Sequence, residues 1–167
     1  NPKKNNGLKG IFYIGSGDLF GAGIVSIFWI FLASIIDAES YGQIHYYLGI
    51  AGMAYVLSLI GTKNTITVYT AKNITITPIL TLITTILGII SAIIVFLLFY
   101  RFDVSFLLIA FIINDISLGY IIGKKFFQTY SKFILIQKSF TLIFGLSFYY
   151  LIGVDGIVLG IALSYAH

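Results

Sequence analysis

Long apolar runs separated by short polar connections dominate the pattern of this chain. Each run has about 20 residues, the length that an α-helix needs to cross the ~30 Å hydrocarbon core of a membrane. A helix satisfies its backbone hydrogen bonds internally, so it is the element expected in lipid. The predicted spans are about 10–36, 43–60, 78–100, 104–123, 130–152 and an incomplete 157–167. The pattern therefore predicts an all-α, polytopic membrane bundle of about six helices in a single lobe, 1–167.

The connection Gly61–Thr77 is rich in threonine, and its alternating residues also suit a strand. An open strand cannot face lipid, because its backbone groups would lack hydrogen-bond partners. We therefore expect a polar continuation of the second helix past Gly61, extending into a cavity or the cytoplasm, in preference to a loop.

The connections alternate in charge along the chain. Eight lysines lie on one side, in the N-terminal segment and in the second-to-third and fourth-to-fifth connections. The other side carries a single basic residue and four acidic ones: Arg101, Asp37, Glu39, Asp103 and Asp155. Cytoplasmic loops are enriched in Lys and Arg. The sequence therefore predicts a cytoplasmic N-terminus and a multi-pass protein of the cell (plasma or cytoplasmic) membrane.

Composition excludes several classes of function. The chain is 59% hydrophobic and 10% charged, with a mean hydropathy of +1.01, whereas a soluble domain carries about 25% charged residues. Its net charge of +4 does not indicate nucleic acid, because the lysines lie between apolar runs, in the membrane-orientation pattern. There is no cysteine, and no arrangement typical of catalysis. We predict no nucleic-acid partner, no metal site, no cofactor and no enzyme activity.

Three ionisable residues interrupt the spans: Asp18, Asp115 and Lys138. Each lies eight residues from the basic end of its span, which is about 12 Å at 1.5 Å per residue. Such a charge costs about 2.5–3.5 kcal/mol on insertion scales, so each needs a partner or water. Two interpretations stay open. Asp115 and Lys138 form an ion pair that fixes helix packing, or Lys138 attracts an anionic group in a water-filled cavity while Asp18 or Asp115 titrates with a coupling ion.

Small residues surround the first of these charges. Gly15, Gly21 and Ala22 share a helix face with Asp18, and Gly17 and Gly21 form a small-xxx-small pair. This pattern is typical of closely approaching helices in membranes.

Tyrosines cluster near the predicted span ends, among them Tyr100 and Tyr150 on the acidic side and Tyr130 on the basic side. We interpret them as aromatic belts at the two membrane–water interfaces.

Four motifs follow one another in a fixed order: IDAESYG at 36–42, NTITVYTAK at 64–72 after a glycine, GKKFFQTYSK at 123–132 and VDG at 154–156. With this order and spacing, the chain resembles Wzx-type polysaccharide (O-antigen) flippases of the multidrug/oligosaccharidyl-lipid/polysaccharide exporter superfamily. Tyr41 and Gly42 match the turn of that family, whereas Asp37 stands where the family usually has glycine.

The resemblance implies the N-terminal lobe of a longer transporter, with a remaining C-terminal lobe as its partner. Members of the family move lipid-linked oligosaccharides across the membrane by alternating access. Membrane lipid and a lipid-linked oligosaccharide are therefore expected partners. By resemblance, Lys138 and Lys63 are candidates to line a substrate cavity, together with Asn64 of the NTITVYTAK motif, and Asp18 is a candidate for the coupling ion. Asp115 is a further candidate for the coupling ion or intramembrane charge, because it interrupts an apolar span.

Two alternatives remain. A cation-coupled multidrug or small-molecule exporter has the same fold but needs a more acidic cavity, which two Asp and one Lys leave open. A membrane-embedded lipid-linked glycosyltransferase is a lesser alternative, because such enzymes carry acidic motifs in sizeable loops and the acidic connections here are a few residues long.

Overall fold

The computed structural model describes the backbone of residues 2–166 and the side chains of residues 9–166. Seven helices occupy the described part: α1 (Pro2–Ile35), α2 (Ala38–Leu59), α3 (Thr62–Ala71), α4 (Thr77–Phe99), α5 (Phe102–Gly123), α6 (Phe127–Ile152) and α7 (Val154–Tyr165). Residues 2–166 contain no strand. The predicted all-α class is confirmed.

Four helical segments are long and apolar enough to cross a membrane: Lys9–Ile35, Thr77–Phe99, Phe102–Gly123 and Phe127–Ile152. The bent pair of α2 and α3 adds a fifth if it is counted as one span. The predicted sixth span, 157–167, corresponds to α7, whose 12 residues extend only about 18 Å. A multi-pass helical bundle is thus supported, with four or five spans within the described residues.

The second predicted span is broken. A bend of 46° separates α2 from α3, and both residues of the break are left-handed, with φ of 44° at Ile60 and 73° at Gly61. A left-handed conformation costs a residue other than glycine about 1–2 kcal/mol. Isoleucine is therefore an unfavourable residue at this position, and the apolar pattern does not predict a break there. The expected helical continuation past Gly61 is confirmed as α3, but it leaves the axis of α2 and ends at Ala71.

α5 lies at the centre of the bundle and packs against α2, α3, α4 and α7. Half of the apolar stretch of α5 is buried, compared with 17% of the apolar stretch within Lys9–Ile35 of α1 and 22% each of those in α4 and α6. Its buried Leu107, Leu108 and Ile112 share one core with Phe28 of α1 and Ile157 of α7. The buried residues of this central helix, Asp115 among them, are therefore shielded by neighbouring helices, which is where intramembrane charge is tolerated.

The acidic connections meet at one end of the bundle. Arg101 donates to both oxygens of Asp103 at 2.9 and 2.7 Å and to Asp155 at 2.6 Å, so it joins the α4–α5 turn to the α6–α7 turn. Its guanidinium also lies 4.6 Å from the ring centroid of Tyr47 in α2. The hydrogen bonds with Asp103 raise the pKa of Arg101 above its already high ordinary value.

The basic connections gather at the opposite end. Gln128, at the start of α6, donates to the hydroxyl of Tyr13 in α1 at 2.9 Å. A Cβ atom at Gly123 would lie 2.6 Å from the Cβ of Thr70, so the end of α5 touches the end of α3. The segregation of basic and acidic connections to opposite ends agrees with the alternation in the sequence.

A row of hydroxyl pairs joins the broken span to α4. The pairs are Ser58 with Ser91 at 2.7 Å, Thr62 with Thr84 at 2.8 Å and Thr70 with Thr77 at 3.3 Å. The α4 members recur every seven residues, or about two helical turns. We call these six residues the hydroxyl row. It joins both α2 and α3 to the same helix, α4.

Candidate functional site

A cavity of about 440 Å³ opens between α1, α3, α5, α6 and α7. Its lining includes all three intramembrane charges of the predicted layer, together with Lys63: Asp18, Lys63, Asp115 and Lys138. The floor is formed by buried polar residues of α5 and α6, and the rim by residues of α1, α3 and α6. The structure therefore brings four of the five candidate side chains to one place.

Asp115 lies in the wall of this cavity and is only 9% exposed. Its Oδ1 accepts a hydrogen bond from the ammonium of Lys63 at 2.9 Å. Its Oδ2 accepts one from the hydroxyl of Tyr55 in α2. On the side of Tyr55 lies a second cavity of about 290 Å³, which shares Asn114, Asp115 and Tyr165 with the first. Asp115 thus separates two cavities and faces both.

Glycines of α5 bring Lys63 to this position. A Cβ atom at Gly119 would lie 2.8 Å from the carbonyl oxygen of Lys63, so any side chain there would push α3 away. The hydroxyl of Thr67 lies 2.9 Å from the carbonyl oxygen of Lys63 and 3.1 Å from that of Gly119, so it shares its proton between the two helices at this contact. Such close approach at small residues is common between membrane helices. It allows the ammonium of Lys63 to reach across to Asp115.

Lys138 has no acidic partner. Its Nζ donates to the hydroxyl of Tyr165 at 2.8 Å and lies 4.9 Å from the centroid of that ring. Among residues 9–166, no carboxylate forms an ion pair with it. Of the two interpretations that the sequence left open, the Asp115–Lys138 ion pair is therefore wrong, because Asp115 pairs with Lys63 instead. The reason is the break after α2, which places Lys63 inside the bundle, whereas the sequence pattern assigned it to a connection.

Asp18 lies on the exposed rim of the cavity. Its Oδ1 accepts a hydrogen bond from the hydroxyl of Tyr130 in α6 at 2.9 Å. Cβ atoms added at Gly17 and Gly21 would lie 2.9 Å from the Cα of Ser131 and 3.2 Å from the Cγ of Lys138. The predicted close approach at this glycine pair is confirmed.

Two sequence-based expectations need correction around Asp18. Gly15 has open space beside it rather than a neighbouring helix. Tyr130 is only 8% exposed and binds Asp18, so it is not a residue of an aromatic belt. At the acidic end, Tyr100 and Tyr150 are highly exposed, as the belt interpretation predicts.

Amide side chains complete the cavity floor. The Nε2 of Gln137 donates to the Oδ1 of Asn114 at 2.6 Å, and both residues are buried. Gln137 was not predicted as a site residue because it carries no charge; an amide side chain within an apolar run is the signal in the sequence that points to it. Tyr55 and Tyr165 were not predicted either, since no apolar pattern distinguishes them from core aromatics.

Asn64, the remaining candidate, is exposed on α3 and does not line this cavity. Among the residues whose side chains are described, no group of three His, Cys, Asp or Glu residues is arranged to hold a metal ion. The cavity offers instead two ammonium groups and two carboxylates, of which Lys63 and Asp115 neutralise each other. Lys138 and Asp18 keep their charges available to a bound molecule.

No protein-family model matches the chain, and no curated protein or solved structure shows significant similarity to it. The resemblance to polysaccharide flippases therefore depends on the sequence motifs alone. The cavity and its charged groups are the structural features that bear on function.

Proposed function

We propose that this chain forms a lobe of a membrane transporter that moves lipid-linked oligosaccharide across the bilayer by alternating access. The observation that carries the proposal is Lys138: an ammonium group inside a membrane span that faces an open cavity and, among the side chains that the structure describes, binds a tyrosine hydroxyl and no carboxylate. Intramembrane ionisable residues characteristically mark substrate pathways. The pyrophosphate of a lipid-linked sugar is a fitting anion, because charge-assisted hydrogen bonds to phosphate oxygens are strong.

In this proposal the N-terminus is cytoplasmic, α7 begins a sixth span, and a second lobe closes the cavity. The gathering of basic connections at one end of the bundle supports the orientation. Single cysteines at Ser40 and Lys125 test it, with an impermeant thiol reagent on intact cells. We expect only the Ser40→Cys protein to be labelled. Equal labelling of both would contradict the orientation.

The central test compares two lysines of α6. In the full-length protein, Lys138→Met should reduce export about tenfold or more, which corresponds to ~1.4 kcal/mol or more of lost interaction. Lys132→Met is the matched control, because Lys132 is exposed near the start of the same helix and lies outside the cavity. Lys138→Arg should retain more export than Lys138→Met. The readouts are lipid-linked oligosaccharide retained on the inner leaflet and the abundance of the protein in membranes.

Two outcomes would contradict the proposal. If Lys138→Met lowers the abundance of the protein while export per molecule stays normal, Lys138 is a packing residue. If the wild-type protein does not change the distribution of lipid-linked oligosaccharide between leaflets, the substrate class is wrong.

A second candidate is a cation-coupled exporter of small molecules with the same fold. The observation that favours it is that two carboxylates, Asp18 and Asp115, line the same cavity. It predicts efflux of an organic cation that is abolished by Asp18→Asn and unaffected by Lys138→Met. The proposed flippase predicts that Lys138→Met is the more damaging change.

A further inference from the structure

One carboxylate joins the two arms of the broken span. Tyr55 lies in α2, five residues before Ile60, and Lys63 lies in α3, three residues after it. Their hydroxyl and ammonium bind the two oxygens of Asp115, one each. We call Tyr55, Asp115 and Lys63 the clamp. It fixes α2 and α3 to the same point on α5.

Packing at the break itself does not hold the bend. The side chain of Ile60 is 73% exposed, and the space around Gly61 is open. The two left-handed residues therefore permit the bend, while contacts on either side of them set its angle. Toward α4 those contacts are the neutral pairs of the hydroxyl row. Toward the cavity they are the charged groups of the clamp, beside the close contact between Gly119 of α5 and the backbone of Lys63, about which α3 can turn.

The two members of the clamp's ion pair differ in their accessibility. The side chain of Lys63 is 33% exposed and that of Asp115 is 13% exposed. An anion in the cavity reaches the ammonium more easily than a cation reaches the carboxylate. Lys138 lines the same cavity and adds a second positive charge. Such an anion would therefore compete with Asp115 for Lys63.

We propose that the break between α2 and α3 is a switch operated by this competition: an anionic group bound in the cavity draws Lys63 away from Asp115 and changes the angle of α3. The inference rests on the proposed function for the identity of the anion. It gives Lys63 a role distinct from that of Lys138, because Lys63 couples the presence of the anion to the angle of α3, the helix in which it lies.

Distances between spin labels test the switch directly. Nitroxides on Val68 of α3 and Lys132 of α6, both exposed, are placed in the full-length protein in lipid nanodiscs. Inorganic pyrophosphate serves as the probe anion. We expect pyrophosphate to shift the wild-type distance by at least the width of its own distribution. Asp115→Asn should produce a shift in the same direction without pyrophosphate, and Lys63→Met should remove the response to pyrophosphate.

The control is an ion pair far from the break. Asp155→Asn removes a carboxylate that binds Arg101 at 2.6 Å at the acidic end of the bundle, and it should leave the distance and the pyrophosphate response unchanged. If Asp115→Asn does not fold, Tyr55→Phe removes one arm of the clamp with a smaller change and should broaden the same distribution.

Three results would overturn the switch: identical distances in the wild-type and clamp variants, no response of the wild type to pyrophosphate, or a response that persists in Lys63→Met. These measurements involve no export. The proposed function stands or falls separately, on the export assay of Lys138→Met.

Discussion

The broken span presents two polar faces that differ in kind. Toward α4 it carries the hydroxyl row, in which Ser58, Thr62 and Thr84 are almost fully buried and every hydroxyl has a neutral partner. Toward α5 and α6 it carries Lys63, which binds Asp115 at the edge of an open cavity. Both faces place polar atoms at membrane depth, but only one of them retains groups that a ligand can bind.

The difference shows that polar residues inside a membrane fall into two classes, neutral pairs that stabilise packing and charged groups that need a partner. In a neutral pair, the two hydroxyl groups satisfy each other's hydrogen bonds. Such interhelical bonds contribute only about 0.6–2 kcal/mol. A charged group must be balanced, and removal of one partner from a buried ion pair costs about 3–5 kcal/mol. We therefore interpret the hydroxyl row as an element of packing and the charged cavity as the functional surface.

The largest effect is expected at the centre of the charged face. Asp115→Ala leaves Lys63 without its counter-ion and Tyr55 without its acceptor, so the free energy of unfolding should fall by about 3 kcal/mol, the lower end of the range for buried pairs, because Lys63 is partly exposed. Adding Lys63→Met should recover a large part of this loss. Unfolding of the purified protein in detergent measures both. Strictly additive losses would show that the two residues are not coupled.

The next effect concerns the contact that brings α3 against the cavity. Gly119→Ala introduces a Cβ atom 2.8 Å from the carbonyl oxygen of Lys63, so α3 must move, at a cost of about 1–3 kcal/mol. Gly49→Ala in α2 is the matched control, because the space beside Gly49 is open and alanine favours helix. Thermal unfolding compares the two. Equal stabilities of the two variants would show that α3 can move away from Gly119 without loss of packing.

The hydroxyl row should respond more weakly. Thr84→Val leaves the hydroxyl of Thr62 buried without a partner, which costs about 1 kcal/mol, and the double variant with Thr62→Val should regain most of that loss. Thr65→Val is the isosteric control, because the hydroxyl of Thr65 binds only the carbonyl of Gly61 at the N-terminus of its own helix. Export should be normal in all three variants. A loss of export in Thr84→Val at normal abundance would break the distinction between the two faces.

The smallest effect is expected outside both faces, at the start of α2. Asp37 accepts hydrogen bonds from the backbone N–H and the hydroxyl of Ser40 at 2.9 and 2.7 Å, and the backbone bond is the main cause that lowers the pKa of Asp37 below 3.8. The ionised carboxylate of Asp37 therefore makes its full contribution to stability above the pKa of the unfolded chain. That contribution is lost as the pH falls through the lower pKa of the folded protein. Asp37→Asn keeps a capping side chain and should remove this acid-dependent loss in thermal unfolding between pH 7 and pH 3. An unchanged pH profile would contradict the assignment.

Much of the helical framework could be predicted from the sequence, because span length and hydropathy respond to the thickness of the membrane. The predicted third span, 78–100, differs by one residue at each end from α4. The break at Ile60 could not be predicted, since isoleucine is an ordinary residue of an apolar helix and the contacts that set the bend are made by residues on either side of it, with helices distant in sequence. Because the break was not predicted, Lys63 was not expected to be the residue that pairs with Asp115.

The candidate site was predictable in its charges and not in its neutral members. Asp18, Asp115 and Lys138 stood out because ionisable residues are expensive in apolar spans, and they do line one cavity. Tyr55 and Tyr165 did not, because a tyrosine suits a core, an interface or a charged site equally well. Which of these it occupies is decided by helix rotation, and local sequence does not contain that information.

The hydrogen bond between Tyr130 and Asp18 also has a consequence for biosynthesis. The two residues are 112 positions apart, and at 5–20 residues per second the ribosome needs roughly 6–22 s to reach the second after making the first. During that interval, the first helix holds a carboxyl group whose eventual donor has not yet been synthesised. The apolar residues of this helix must therefore drive its membrane insertion without the help of that hydrogen bond. Asp18 gains this donor only after Tyr130 has been translated.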